Sequence, residues 1–101
     1  MEIYKLGKEL DSFNYHEVQE GILAILEKGS NTVLDMTECK YISSTGLRVL
    51  LYSKKVATSK GLEFCLVGMN DEIRDIMNIT GFNNFFVSFE TIDECLKAIE
   101  G

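Results

Sequence analysis

Three hydroxyl side chains stand in a row at Ser43, Ser44 and Thr45, followed at once by Gly46-Leu47-Arg48 and a run of apolar residues at helical spacing. A helix beginning there leaves its first amide groups without intrahelical acceptors. Such amides can take a side-chain oxygen. They can equally take a phosphate, which also gains the favourable end of the helix dipole. Gly46 puts no side chain beside the hydroxyls, so the turn stays open to the active site of a kinase. The same residues have a plainer reading, in which Ser43 or Ser44 caps the helix and no phosphate is involved. Spacing alone favours the cap.

The hydroxyl run needs a strand before it and a helix after it. Thr32 to Met36 is compact, apolar and β-branched, which predicts a central, buried strand, and Thr37 to Ile42 connects it to the hydroxyls. Leu47, Leu50 and Leu51 then line one face of a helix that ends at Lys60, with Gly61 as its stop. Upstream, Glu2 to Leu6 reads as a short strand, and Ser12 or Asn14 caps a helix carrying Val18, Ile22, Ile25 and Leu26 before Gly29. Downstream, Leu62 to Val67 is another strand, and Asn70 caps a helix whose Ile73, Ile76 and Met77 face inward until Gly81. Phe85 to Val87 is a last short strand. Thr91-Ile92-Asp93-Glu94 has capping-box spacing and opens a helix with Ile92, Cys95, Leu96 and Ile99 on one stripe. The order β-α-β-α-β-α-β-α predicts an α/β fold with helices packed on a sheet containing parallel pairs. Periodicity leaves open whether the helices cover one face or both.

With 101 residues and 46% hydrophobic side chains, the chain is expected to fold as one domain, 1–101, with no linker or repeat. Sixteen acidic and ten basic side chains give a net charge of -6, which argues against nucleic acid and points to a basic protein surface as the complement. No apolar run approaches the roughly 18 to 20 residues that span a bilayer, and Met1-Glu2-Ile3-Tyr4-Lys5 lacks the order of a signal peptide. A cytoplasmic protein without direct membrane insertion is expected. Cys39, Cys65 and Cys95 form no Cys-x-x-Cys pair and read as free core thiols, while the single His16 reads as a solvated side chain near a helix start. Neither a metal site nor a cofactor loop is suggested. The cluster Phe82, Phe85, Phe86 and Phe89 reads as core and sheet edge, and Arg48 and Arg74 as solvating charges or partner contacts.

The run from Leu34-Asp35-Met36-Thr37 through Tyr41-Ile42-Ser43-Ser44-Thr45-Gly46-Leu47 resembles the phosphorylation segment of the STAS domain family, the bacterial anti-sigma factor antagonists. Gly7-Lys8-Glu9-Leu10-Asp11 is similar to that family's Gly-x-Leu-Asp turn with one extra residue, and Ile79-Thr80-Gly81-Phe82 is similar to its late Ser/Thr-Gly-Leu element. The resemblance spans nearly the whole chain. It implies a STAS-like mixed sheet and a protein that binds an anti-sigma factor, often also its serine/threonine kinase, until a phosphate on the hydroxyl before the glycine ends the binding. Matched position by position, the acceptor is Thr45, with Ser44 as neighbouring contact or cap and Asp35 as an acidic group near the site. Ser43, Gly46, Leu47 and Arg48 complete the surroundings, and a phosphatase is a further partner class. Ser43 stands where sporulation-type members commonly have Asp, and the chain starts about one strand later than the family's opening hairpin.

Two other functions compete with the antagonist. One is a STAS binding module of a lipid or anion transport assembly, which needs no phosphate switch. The other is a small enzyme, which is disfavoured because no dinucleotide loop, P-loop, metal cluster or placed His is visible.

Overall fold

A computed structural model describes residues 1–100, Glu100 by its backbone alone. Four strands form the main sheet: β1 (Glu2–Lys5), β3 (Thr32–Asp35), β5 (Phe64–Val67) and β6 (Val87–Phe89), in the order β1-β3-β5-β6. Two further strands, β2 (Glu9–Leu10) and β4 (Tyr41–Ile42), pair with each other beside it. All the pairs are parallel, so the α/β class is as expected but the sheet is parallel rather than mixed. The reason is connectivity. Each strand of the main sheet after β1 is reached through a crossover containing a helix: α1 (Tyr15–Glu27), α2 (Ser44–Ser59) or α3 (Asp71–Thr80).

The strand order also decides which face each helix covers. Successive crossovers run to the next neighbour in the same direction, and right-handed crossovers in one direction must all lie on one face. The core follows this rule. Leu34, Phe64 and Leu66 point toward a cluster with Ile22 and Leu26 of α1, Leu50 of α2, and Ile73 and Met77 of α3. The alternate residues Val33, Cys65 and Val67 point the other way, onto Cys95 of α4 (Ile92–Glu100). Both faces are therefore covered, but α4 covers only the middle of its face. In the row Ile3–Val33–Cys65–Val87, the central pair is fully buried while Ile3 and Val87 at the edges are 48% and 45% exposed.

Helix ends follow the local chemistry. Asn70 accepts the Ile73 amide at 2.8 Å to start α3, and Gly81 ends it with φ +78°. Thr91 accepts the Glu94 amide at 3.2 Å at the start of α4. Asn14 occupies the cap position of α1, yet its side chain turns back to accept from the Asp11 amide and to donate to the Glu9 carbonyl.

Three further expectations are corrected. The last strand is Val87–Phe89 rather than Phe85–Val87, because the chain after Gly81 coils on as a 3-10 helix, Phe82–Phe85, before it extends. Ile76 does not face inward; it is 36% exposed at the margin of α3, whose buried line is Ile73 and Met77, four residues apart. The segments read as polar connections around Glu9 and Tyr41 contain β2 and β4.

Candidate functional site

The site is the amino end of α2. Ser43 has extended backbone angles, and its Oγ accepts the Gly46 amide at 3.2 Å, while its carbonyl accepts the Leu47 amide at 2.9 Å. Ser43 is thus the cap, which resolves the choice between Ser43 and Ser44. Its own amide donates to the Leu10 carbonyl at 3.0 Å, tying the start of α2 to β2. Ser44 and Thr45 occupy the first two helical positions. Neither hydroxyl is used by a hydrogen bond among the described residues. Ser44 is exposed, Thr45 half-buried.

Gly46 serves a different end from keeping the turn open. It is buried, and a Cβ there would lie 2.7 Å from the Leu10 carbonyl oxygen and 2.7 Å from Cγ1 of Ile42. The first is backbone and cannot swing aside. The absent side chain therefore lets α2 seat directly on the β2–β4 pair, with Leu47 buried behind it. This explains why the Gly7–Asp11 turn and the Ser-Ser-Thr-Gly run belong together: each holds the other in place.

Thr45 opens onto a surface pocket of about 490 Å³ between two helices. Ser12, Tyr15 and Gln19 form one wall; Thr45, Arg48, Val49 and Tyr52 of α2 form the other. The exposed Arg48 takes part in no ion pair among the described residues. The first turn of α2 carries no acidic side chain, so the positive end of the helix and the Arg48 guanidinium are not offset locally. A phosphate on Thr45 would meet amide donors and a cation in cis, and would place about -1.5 to -2 charges in a neutral-to-basic pocket. Phe13, 96% exposed, stands on the loop just before Tyr15.

The six contiguous candidates, Ser43 to Arg48, are therefore gathered on one helix start. Asp35 stands apart from them. Its carboxylate accepts from the Thr37 amide at 3.0 Å and the Thr37 hydroxyl at 2.8 Å, closing the turn after β3. Register puts Asp35 in the row Lys5–Asp35–Val67–Phe89, on the face that carries α4 rather than α2. Sequence reasoning missed Ser12, Tyr15, Gln19 and Tyr52. Tyr52 could have been found, since Thr45, Arg48 and Tyr52 fall at i, i+3 and i+7 on one helical stripe.

The remaining titratable groups have structural places. His16 is exposed and lies 3.6 Å from Glu20 on the same helix. Cys39, Cys65 and Cys95 are all buried. Burial, then the neighbouring Cys95, pushes the Cys65 thiol up to about 12, and burial likewise raises Cys39. Among the described residues no group of three His, Cys, Asp or Glu is placed to hold a metal, and no helix is long and apolar enough to cross a membrane.

Comparison with known proteins bears on the family and the fold. The family model described as the STAS domain matches residues 2–95. A Bordetella bronchiseptica protein, BtrV, named as a candidate anti-sigma factor antagonist, is 34% identical over 79 residues, covering 76% of this chain and 67% of that protein. The anti-sigma-B factor antagonist of Staphylococcus aureus is 26% identical over 81 residues, covering 79% of this chain and 75% of its own. Among solved structures, a candidate anti-sigma factor antagonist from Thermotoga maritima superposes with a TM-score of 0.89, covering 98% of this chain and 88% of that one. A sulfate transporter family protein from Wolinella succinogenes gives 0.83, covering 96% and 82%. Each of the two is 24% identical, so that likeness is one of fold.

Proposed function

The chain belongs to the STAS domain family, and from that premise we propose that it is an anti-sigma factor antagonist whose binding to an anti-sigma factor or serine/threonine kinase is ended by phosphorylation of Thr45. The observation that carries this reading is the division of labour among three neighbouring hydroxyls. Ser43 does the capping, so Thr45 is left without a structural task, half-exposed at the positive end of α2 and open to a pocket beside Arg48. A phosphate there changes the charge of a docking surface while leaving the cap and the seat of the helix intact. The relatives named as anti-sigma factor antagonists support the same assignment, at modest identity.

On this reading the protein is a regulator and performs no catalysis itself. It acts in the cytoplasm, and a phosphatase resets it. The test is affinity purification from the native host using Thr45→Ala and Thr45→Glu variants. A protein kinase or anti-sigma factor should co-purify with Thr45→Ala and be lost with Thr45→Glu. Equal recovery with both variants would overturn the switch.

A second reading, a binding module of a transport assembly, is favoured by the fold shared with the Wolinella transporter-family protein. It predicts that a membrane transport protein co-purifies and that neither substitution at Thr45 alters its recovery.

A further inference from the structure

The chain's net charge of -6 is not shared by the helix that carries the site. α2 has no acidic residue in Ser44–Ser59 and carries Arg48, Lys54 and Lys55. Each of the other helices carries acids, including Glu17, Glu20 and Glu27 on α1, Asp71, Glu72 and Asp75 on α3, and Asp93 and Glu94 on α4. The charges on α2 are also uncommitted. Lys5 pairs with Glu38 and Lys28 with Glu2, whereas Arg48, Lys54 and Lys55 take part in no ion pair among the described residues.

Alongside the two lysines runs an apolar groove of about 790 Å³ between α2 and the 3-10 helix. Leu51, Phe82 and Phe85 give it apolar walls, and Lys54 and Lys55 also line it. Phe85 is 57% exposed, so its phenyl ring is available at the mouth of the groove. The groove and the Thr45 pocket have no lining residue in common, but Arg48 and Tyr52 of the pocket are helical neighbours of Leu51 and Lys55 of the groove. Thr45, Arg48, Tyr52 and Lys55 follow one another at spacings of three, four and three along α2, so they form one stripe.

We propose that this stripe and the adjoining groove dock an acidic amphipathic helix of the partner protein, with acidic side chains along Arg48, Lys54 and Lys55 and an aliphatic side chain between Leu51, Phe82 and Phe85. The inference deepens the proposed function, on which it rests for the partner's being a protein. It also gives the switch its sign. A phosphate at Thr45 stands at one end of a basic stripe and meets an acidic partner with like charge, which costs affinity and slows encounter. The whole-chain charge would have suggested a basic partner; the site selects the opposite one.

The experiment uses the full chain and a labelled synthetic helix of about 18 residues with Glu on its polar face and Leu on the other, against a Lys/Leu control. Fluorescence anisotropy should show saturable binding of the Glu/Leu peptide that weakens with added salt, and no such binding of the control. Lys54→Glu/Lys55→Glu should weaken binding about tenfold or more, and Phe85→Ser about as much, with circular dichroism unchanged. Amide shifts on titration should map to α2 and Phe82–Phe85. Absence of peptide binding, equal binding of both peptides, or insensitivity to the double substitution overturns the proposal. Displacement of the peptide by dodecanoate below its micelle concentration overturns it in favour of a fatty-acyl anion. Self-association of the free protein that Phe85→Ser abolishes overturns it in favour of a second copy. The two readings fail separately: if only the switch is wrong, Thr45→Glu leaves native partner recovery intact while Lys54→Glu/Lys55→Glu still weakens peptide binding.

Discussion

At the scale of single residues, neighbours in sequence divide sharply between those buried in the fold and those left exposed at its surface. Gly46 belongs to the fold. Adding one methyl group there drives a Cβ to within 2.7 Å of the Leu10 carbonyl, and because that atom is backbone the helix must shift. Gly46→Ala should cost about 1–3 kcal/mol, read as a lower urea midpoint, and an unchanged midpoint would contradict the close approach. Arg48, two residues on, is exposed and outside any ion pair among the described residues, so Arg48→Ala should change the unfolding free energy by no more than about 0.5 kcal/mol while weakening partner binding. Loss of stability in that variant would show that its stem is part of the packing instead. Cys65 supplies a prediction in pH. Its folded value near 12 exceeds the ordinary 9.0, so the unfolded chain releases this proton first as pH rises. Stability from this group is therefore intact below about 9 and is lost as pH climbs from there toward 12. Buried Cys39 and half-buried Tyr4, raised by burial, act with the same sign. Thermal melts from pH 8 upward should show a falling midpoint, with a shallower slope in Cys65→Ala.

At the scale of elements, what could be read in advance was what local chemistry decides. Asn70, Gly81 and Thr91 mark real helix ends because their side chains or left-handed backbone act within four residues. Asn70→Ala should accordingly cost about 1 kcal/mol, measurable by urea unfolding, and a neutral effect would mean the Ile73 amide finds another acceptor. The two-residue strands β2 and β4 were not legible, since so short a segment has no periodicity and exists only because the two meet across the chain. The final strand was placed two residues early because a left-handed glycine ends an α-helix without forbidding a further turn. The site followed the same division. Ser43 to Arg48 could be recognised as a contiguous block, whereas the α1 wall of the pocket and the role of Gly46 depend on contacts between distant segments. Asp35 looked close to the hydroxyls along the chain, but strand alternation turns it to the opposite face.

At the scale of the molecule, one sheet order accounts for the layout. Sequential parallel strands put α1, α2 and α3 on one face and leave α4 to cover the centre of the other. α2 is thereby packed on its inner side by the core and free on its outer side from Thr45 to Lys55, the stretch that carries basic groups in an otherwise acidic chain. On the proposed reading, a single phosphate added at the start of this helix changes the charge of the surface itself. The central claim is that Thr45 is where that charge is added. The most direct measurement is phosphosite mapping by mass spectrometry of the protein purified from its own host, grown with and without stress. The account predicts phosphate on Thr45 in a fraction that changes with condition, and an unmodified Thr45 under every condition would contradict it.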